Sequence, residues 1–119
     1  MKSCLIVDDS SVVRKVARRI LEEMDFVIDE AEDGQEAMDK CRREMPDCIL
    51  LDFNMPIMSG LEFLKLLRAY EGGTKPRVVY CTIEHDIGQI ALALKAGAND
   101  YMMKPFDRAI LESKFEVGA

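Results

Sequence analysis

The sequence predicts an α/β protein: five parallel strands covered by helices on both faces. Two observations lead there. Five short apolar runs alternate with stretches whose apolar residues recur at helical spacing, an alternation that calls for a parallel sheet joined by right-handed crossovers. Two of the runs, Cys4-Leu5-Ile6-Val7 and Cys48-Ile49-Leu50-Leu51, stop on acid, at Asp8-Asp9 and at Asp52. In such sheets ligands bind outside the carboxyl ends of the strands, so these acids fall where a site belongs.

The elements follow in order. Strands are expected at Cys4 to Val7, Phe26 to Ala31, Cys48 to Leu51, Arg77 to Thr82 and Asp100 to Met103. Between the first two, Val13, Val16, Ala17, Ile20, Leu21 and Met24 draw one stripe of a 3.6-residue helix, capped by Ser10 or Ser11. Ala37, Met38, Cys41 and Met45 mark a second helix after the Asp33-Gly34 turn, and Gly60, Phe63, Leu64 and Leu67 a third. Gly72-Gly73 and Pro76 separate it from the fourth strand. The fourth helix, from about Asp86 to Ala96 with Gly97 as its stop, is apolar almost all round. Ile87, Ile90, Ala91 and Leu94 are its expected buried stripe, with Leu92 and Ala93 as additional apolar surface for a partner. A short fifth helix starts near Asp107 with Ile110, Leu111 and Phe115 inward.

At 119 residues, positions 1–119 make one domain with a single core, and no output domain is expected. The composition, 49% apolar and 32% charged, is that of a globular protein, and no apolar run approaches a membrane span, so the cytoplasm is the expected location. The net charge of -6 argues against nucleic acid as a partner and favours proteins. Cys4, Cys41, Cys48 and Cys81 form no C-x-x-C pair and sit in apolar segments, where reduced thiols pack as small hydrophobes. Arg14, Lys15, Arg18 and Arg19 line the outer side of the first helix. They read either as a solvated face with Arg18–Glu22 and Arg19–Glu23 pairs or as a docking face for a partner protein.

Asp8, Asp9 and Asp52 at one sheet edge would repel one another, which raises at least one carboxyl pKa unless a cation sits among them. A hard metal such as Mg2+ suits that donor set. Thr82 and Lys104, the latter followed by Pro105, end the fourth and fifth runs in the same way. Together they make a phosphoryl-handling set: a nucleophilic carboxylate, a metal bridging carboxylate and phosphoryl oxygens, and a lysine and hydroxyl on the remaining oxygens.

With Asp8-Asp9, Asp52 followed by Met55-Pro56 and Gly60, Thr82, and Tyr101 to Phe106 in this order and spacing, the chain resembles the receiver domains of two-component response regulators, most of all the single-domain chemotaxis type. The resemblance covers essentially the whole chain. It implies a flavodoxin-like sheet of order 2-1-3-4-5 and Asp52 as phosphoacceptor. It also implies Mg2+ held by Asp9, Asp52 and the carbonyl of Asn54, with Asp8 acting through water. Lys104 and Thr82 would stabilise the phosphoryl group, Thr82 and Tyr101 would form the switch, and the bond before Pro105 would be cis. Asn54 and Glu84 would tune dephosphorylation. Ile83 departs from the small residue usual after the threonine, and its bulk would disfavour small phosphodonors.

By the same resemblance the partners would be a histidine kinase or histidine phosphotransfer protein and a downstream protein target, with the chain a monomer or a phosphorylation-linked dimer. The only catalysis expected is its own phosphorylation and dephosphorylation. Three other readings stay open: a receiver excised from a longer regulator or hybrid kinase, a small Mg2+-dependent phosphatase, and a flavodoxin-like electron carrier. Asn54 stands where the phosphatase would need a second aspartate, and no Ser/Thr/Gly-rich phosphate loop follows the first strand as the carrier would require.

Overall fold

The first, third and fourth strands lie at the centre of the sheet, which is why their sequences run almost unbroken in apolar residues rather than alternating. The computed structural model of the chain describes residues 2–83 and 87–116. Its elements are β1 (Ser3–Val7), α1 (Ser11–Glu23), β2 (Val27–Ala31), α2 (Gly34–Arg43), β3 (Cys48–Asp52), α3 (Gly60–Ala69), β4 (Arg77–Thr82), α4 (Ile87–Ala96), β5 (Asp100–Met103) and α5 (Arg108–Glu116). All four strand pairings are parallel, in the order β2-β1-β3-β4-β5.

Alternate residues of each central strand enter opposite cores. Leu5, Val7, Ile49, Leu51, Val78 and Tyr80 pack with Ala37, Met38, Cys41, Phe63, Leu64 and Leu67 of α2 and α3. Cys4, Ile6, Cys48, Leu50, Val79 and Cys81 pack with Ala17, Ile20 and Leu21 of α1 and Leu111 and Phe115 of α5. All four cysteines are free and buried, as their apolar settings predict. No helix among the described residues is long and apolar enough to cross a membrane.

Local chemistry sets the helix ends. Ser10, not Ser11, caps α1, its hydroxyl accepting from the Val13 amide at 3.3 Å. Asp33 caps α2, and Ser59 with Glu62 forms a reciprocal capping box on α3. Gly97 ends α4 at φ 116°, a conformation that L side chains rarely adopt.

Two helices bury only part of the faces their sequences suggested. In α4 the buried residues are Ile90 and Ala93, while Ile87 is 73% exposed, Leu94 43%, and Ala91 lies in solvent. A helix that is apolar all round has no contrast to show which side faces the sheet, and here the small Ala93 makes the contact. In α5 Leu111 and Phe115 are buried, but Ile110 is 41% exposed. The fifth helix is short, nine residues. Phe115 instead meets Phe26 edge to face, ring centres 6.1 Å apart.

The basic stripe of α1 also divides. Arg18 pairs with Glu22 at 3.2 Å, but Glu23 pairs with Arg108 of α5 instead of with Arg19. Lys15 and Arg19 are exposed, whereas Arg14 turns inward to Glu30 of β2 and is only 13% exposed.

Candidate functional site

Strand ends bring the polar residues together at the carboxyl edge of the sheet. The Val7–Leu51 and Asp52–Cys81 pairings align β1, β3 and β4, so Asp8 and Asp52 emerge at one level and Thr82 one residue further along. The Asp8 amide still bonds the Ala31 carbonyl at 3.0 Å, and the Phe53 amide bonds the Cys81 carbonyl at 3.0 Å. These bonds continue the ladders one residue past each strand. Gly60 opens α3 against the same edge: a Cβ there would lie 2.2 Å from the Asp52 carbonyl oxygen, so only glycine lets the helix come this close.

Asp8, Asp9 and Asp52 each present a carboxylate oxygen within 4.8 Å of the others; Asp8 and Asp52 are 3% exposed, and Asp9 faces solvent. Lys104 Nζ sits among them, 2.7 Å from Asp8 Oδ2 and 3.1 Å from Asp52 Oδ1. The other Asp8 oxygen accepts the Ser10 amide at 2.9 Å. The Lys104 amide donates to the Thr82 carbonyl at 2.8 Å, which fixes lysine and threonine side by side, and the peptide bond from Lys104 to Pro105 is cis. Thr82 itself is buried.

Electrostatics single out one carboxyl. Burial, and next to it the charge of Asp8, push the pKa of Asp52 up to about 6, although Lys104 pulls the other way. Burial disfavours the charge on Lys104, yet its hydrogen bond to Asp8 and the two buried carboxylates hold its pKa above the usual lysine value. One lysine thus leaves part of the negative charge uncompensated. An all-oxygen donor set with surplus negative charge fits a hard divalent cation such as Mg2+, and does not fit a thiophilic metal.

A model of the response regulator receiver domain matches residues 4–116. The chain belongs to the response regulator receiver family. It is 39% identical over 107 residues to the chemotaxis protein CheY of Listeria monocytogenes, covering 89% of this chain and 88% of that one. It is 36% identical to CheY of Halobacterium salinarum, covering 90% and 88%. Among solved structures, the chemotaxis protein CheY4 of Vibrio cholerae superposes with a TM-score of 0.92 at 29% identity, covering 98% of this chain and 97% of that one. The receiver fold and its two-component signalling class rest on these likenesses.

The remaining expected positions of the receiver surround this centre unevenly. Asn54 is exposed in the loop after Asp52. That loop closes through a bond from the Met58 amide to the Pro56 carbonyl at 2.7 Å, around Ile57 at φ 70°. A β-branched residue in that region is strained, and Ile57 is also 80% exposed. Ile83 is exposed beside Thr82, and Glu84 lies outside the described residues. Tyr101 is half-buried against the α2–α3 core, with Lys114 Nζ 5.4 Å from its ring centre.

Sequence reasoning missed the role of Arg14. Its Nη1 donates to the Asp8 carbonyl at 2.7 Å while its Nε donates to Glu30 Oε1 at 2.8 Å. Nothing local announces that contact, because Glu30 lies sixteen residues away on an edge strand.

Proposed function

We propose that the chain is a phospho-aspartate switch in which Asp52 accepts a phosphoryl group from a histidine kinase or histidine phosphotransfer protein. Phosphorylation then changes its affinity for a downstream protein. The observation that carries this reading is the buried Asp52 carboxyl, held 3.1 Å from Lys104 and in reach of two further carboxylates. A metal cage alone has no use for that lysine; an acyl phosphate has, since Lys104 can neutralise its oxygens.

In the step proposed, an Asp52 oxygen attacks the phosphorus of a phosphohistidine, the P–N bond breaks, the imidazole leaves, and an acyl phosphate forms. Asp9 and Asp52, with the carbonyl of Asn54 and with Asp8 acting through water, would hold the ion. Mg2+ when bound would neutralise phosphoryl charge. Lys104 would transfer its contact from Asp52 to the new phosphoryl oxygens, and the Thr82 hydroxyl would donate to another. Charged hydrogen bonds of about 1.5–3 kcal/mol each would bias the molecule towards its active arrangement, with Tyr101 as the reporting side chain. A full inversion of a two-state population needs about 5.5 kcal/mol, so the downstream partner would supply the rest.

The test is labelling with phosphorylated histidine kinases in the presence of Mg2+, read as one base-labile phosphoryl group per chain. No label from any donor would refute the reading. The same assay examines Ile83: its exposed bulk beside Thr82 supports restricted entry of small donors, so Ile83→Ala should speed labelling by phosphoramidate several-fold and leave transfer from a kinase little changed.

Mg2+ should also stabilise the fold, because it binds the folded carboxylates and relieves their repulsion. At ten times its dissociation constant the gain is about 1.4 kcal/mol, equivalent to a rise of roughly 5–6 °C in melting temperature. An unchanged melting temperature across a Mg2+ titration would contradict the metal assignment.

A further inference from the structure

We propose that Arg14 is a positioning residue for the Asp8-Asp9 pair, setting the direction of both carboxylates towards the divalent cation that the proposed function places there. The inference rests on that reading and goes beyond it, since Arg14 neither contacts a carboxylate of the site nor touches a phosphoryl group in it.

The geometry begins with the end of β1. The Asp8 amide still bonds Ala31, but the strand ends at Val7 and the Asp8 carbonyl has left the ladder. Arg14 Nη1 takes that carbonyl at 2.7 Å. The carbonyl belongs to the planar peptide joining Asp8 to Asp9, so holding its oxygen fixes the plane from which both side chains depart. One carboxylate then points inward to Lys104, and the other stays at the exposed rim.

The guanidinium is itself held. Its Nε donates to Glu30 Oε1 at 2.8 Å, and the second Glu30 oxygen accepts Arg18 Nη1 at 2.6 Å. Arg14 is 13% exposed and Glu30 26%, so this is a half-buried network and not a passing surface pair. A planar fork that spans a carboxylate and a carbonyl at fixed separation is a task for arginine; a lysine offers a point charge and cannot hold both. The contact runs from α1 through β2 to the end of β1, tying the acidic pair to two elements besides its own strand.

Charge and position predict opposite results, which makes the inference testable. If Arg14 acted only as a nearby positive charge, it would oppose a dication: Arg14→Gln would tighten Mg2+ binding and Arg14→Lys would leave it unchanged. If it acts by position, both variants weaken binding, by about tenfold as for other groups that orient metal ligands. Isothermal titration of Mg2+ into the wild type and both variants reads this, with melting temperatures in EDTA measured on the same samples. A purely structural role would lower the metal-free melting temperature and leave the dissociation constant alone.

Glu30→Ala provides a second route, freeing the guanidinium from its other end. It should weaken Mg2+ binding as Arg14→Lys does, and the double variant should be no weaker than either single one, because both break the same link. A dissociation constant within about twofold of the wild type in Arg14→Lys, or a tighter one in Arg14→Gln, overturns the proposal. A wild-type chain with no Mg2+ affinity overturns the metal reading itself and this inference with it.

Discussion

An Asp52→Asn variant is expected to lose all phosphoryl labelling and, without metal, to be more stable than the wild type at neutral pH. The first effect follows from removing the attacking oxygen, since an amide cannot form the acyl phosphate. The second follows from the carboxyl pKa of about 6, which burial and Asp8 raise above the ordinary aspartate value of about 3.9. Below both values the carboxyl is protonated whether the chain is folded or not, and no penalty arises. Between them the folded chain keeps a proton that the unfolded chain has released, so stability falls as pH rises. Above about pH 6 the full cost remains, on the order of 1–3 kcal/mol once solvent screening is allowed for. Melting curves from pH 4 to 8 in EDTA should show the wild type falling progressively below the variant up to about pH 6, then running parallel to it. Added Mg2+ should narrow that gap. Label retained by the variant would move the acceptor to Asp8 or Asp9, and identical pH profiles would show that the Asp52 charge carries no strain.

The same physics explains which features could be read in the chain. β1, β3 and β4 were visible because burial on both faces leaves almost only apolar residues, and the candidate site was visible because acid, hydroxyl and lysine close those three runs and the fifth at the same relative point. The strand order was not written in the runs; it came with the resemblance. Elsewhere the signal failed for definable reasons. In α4 every face offers apolar side chains, so hydropathy could not distinguish the buried Ala93 from the exposed Leu92 and Leu94. Arg14 looked like any member of a basic stripe, and only the folded chain brings Glu30 and the Asp8 carbonyl to its two ends. Helical spacing ranks residues by face, but a long side chain at the border of a face goes where its partners are.

Arg68 belongs to the same class, and its removal should produce the largest loss of stability. The guanidinium of this α3 residue donates from Nε and Nη2 to the Gly97 carbonyl at 3.0 and 2.7 Å. Its Nη1 donates to the Gly73 and Pro76 carbonyls at 2.8 and 2.9 Å, and Nη2 also reaches Asn99 Oδ1 at 3.1 Å. One side chain therefore ties the end of α3 to the turn before β4 and to the turn between α4 and β5. Burial pulls its pKa below the ordinary arginine value, but guanidinium remains charged at any ordinary pH. Hydrogen bonds from a charged donor contribute about 1.5–3 kcal/mol each, and those sharing one donor group do not add fully. Arg68→Ala should thus cost about 3–5 kcal/mol, a large part of a typical total of 5–15, and lower the melting temperature by roughly 10 °C or more. Arg68→Lys should recover less than half of this, since an ammonium cannot serve carbonyls on both turns. Gly97 completes the argument: a Cβ there would lie 2.8 Å from Arg68 Cγ, so Gly97→Ala should displace the arginine as well as strain the positive φ. Denaturant titration decides the matter. An Arg68→Ala loss below about 1 kcal/mol would mean that water replaces the guanidinium at these carbonyls, and the two turns would then owe their positions to the packing of Ala93 and Ala98 and to bonds such as those between Val78 and Asn99 and from the Gly73 amide to the Tyr70 carbonyl.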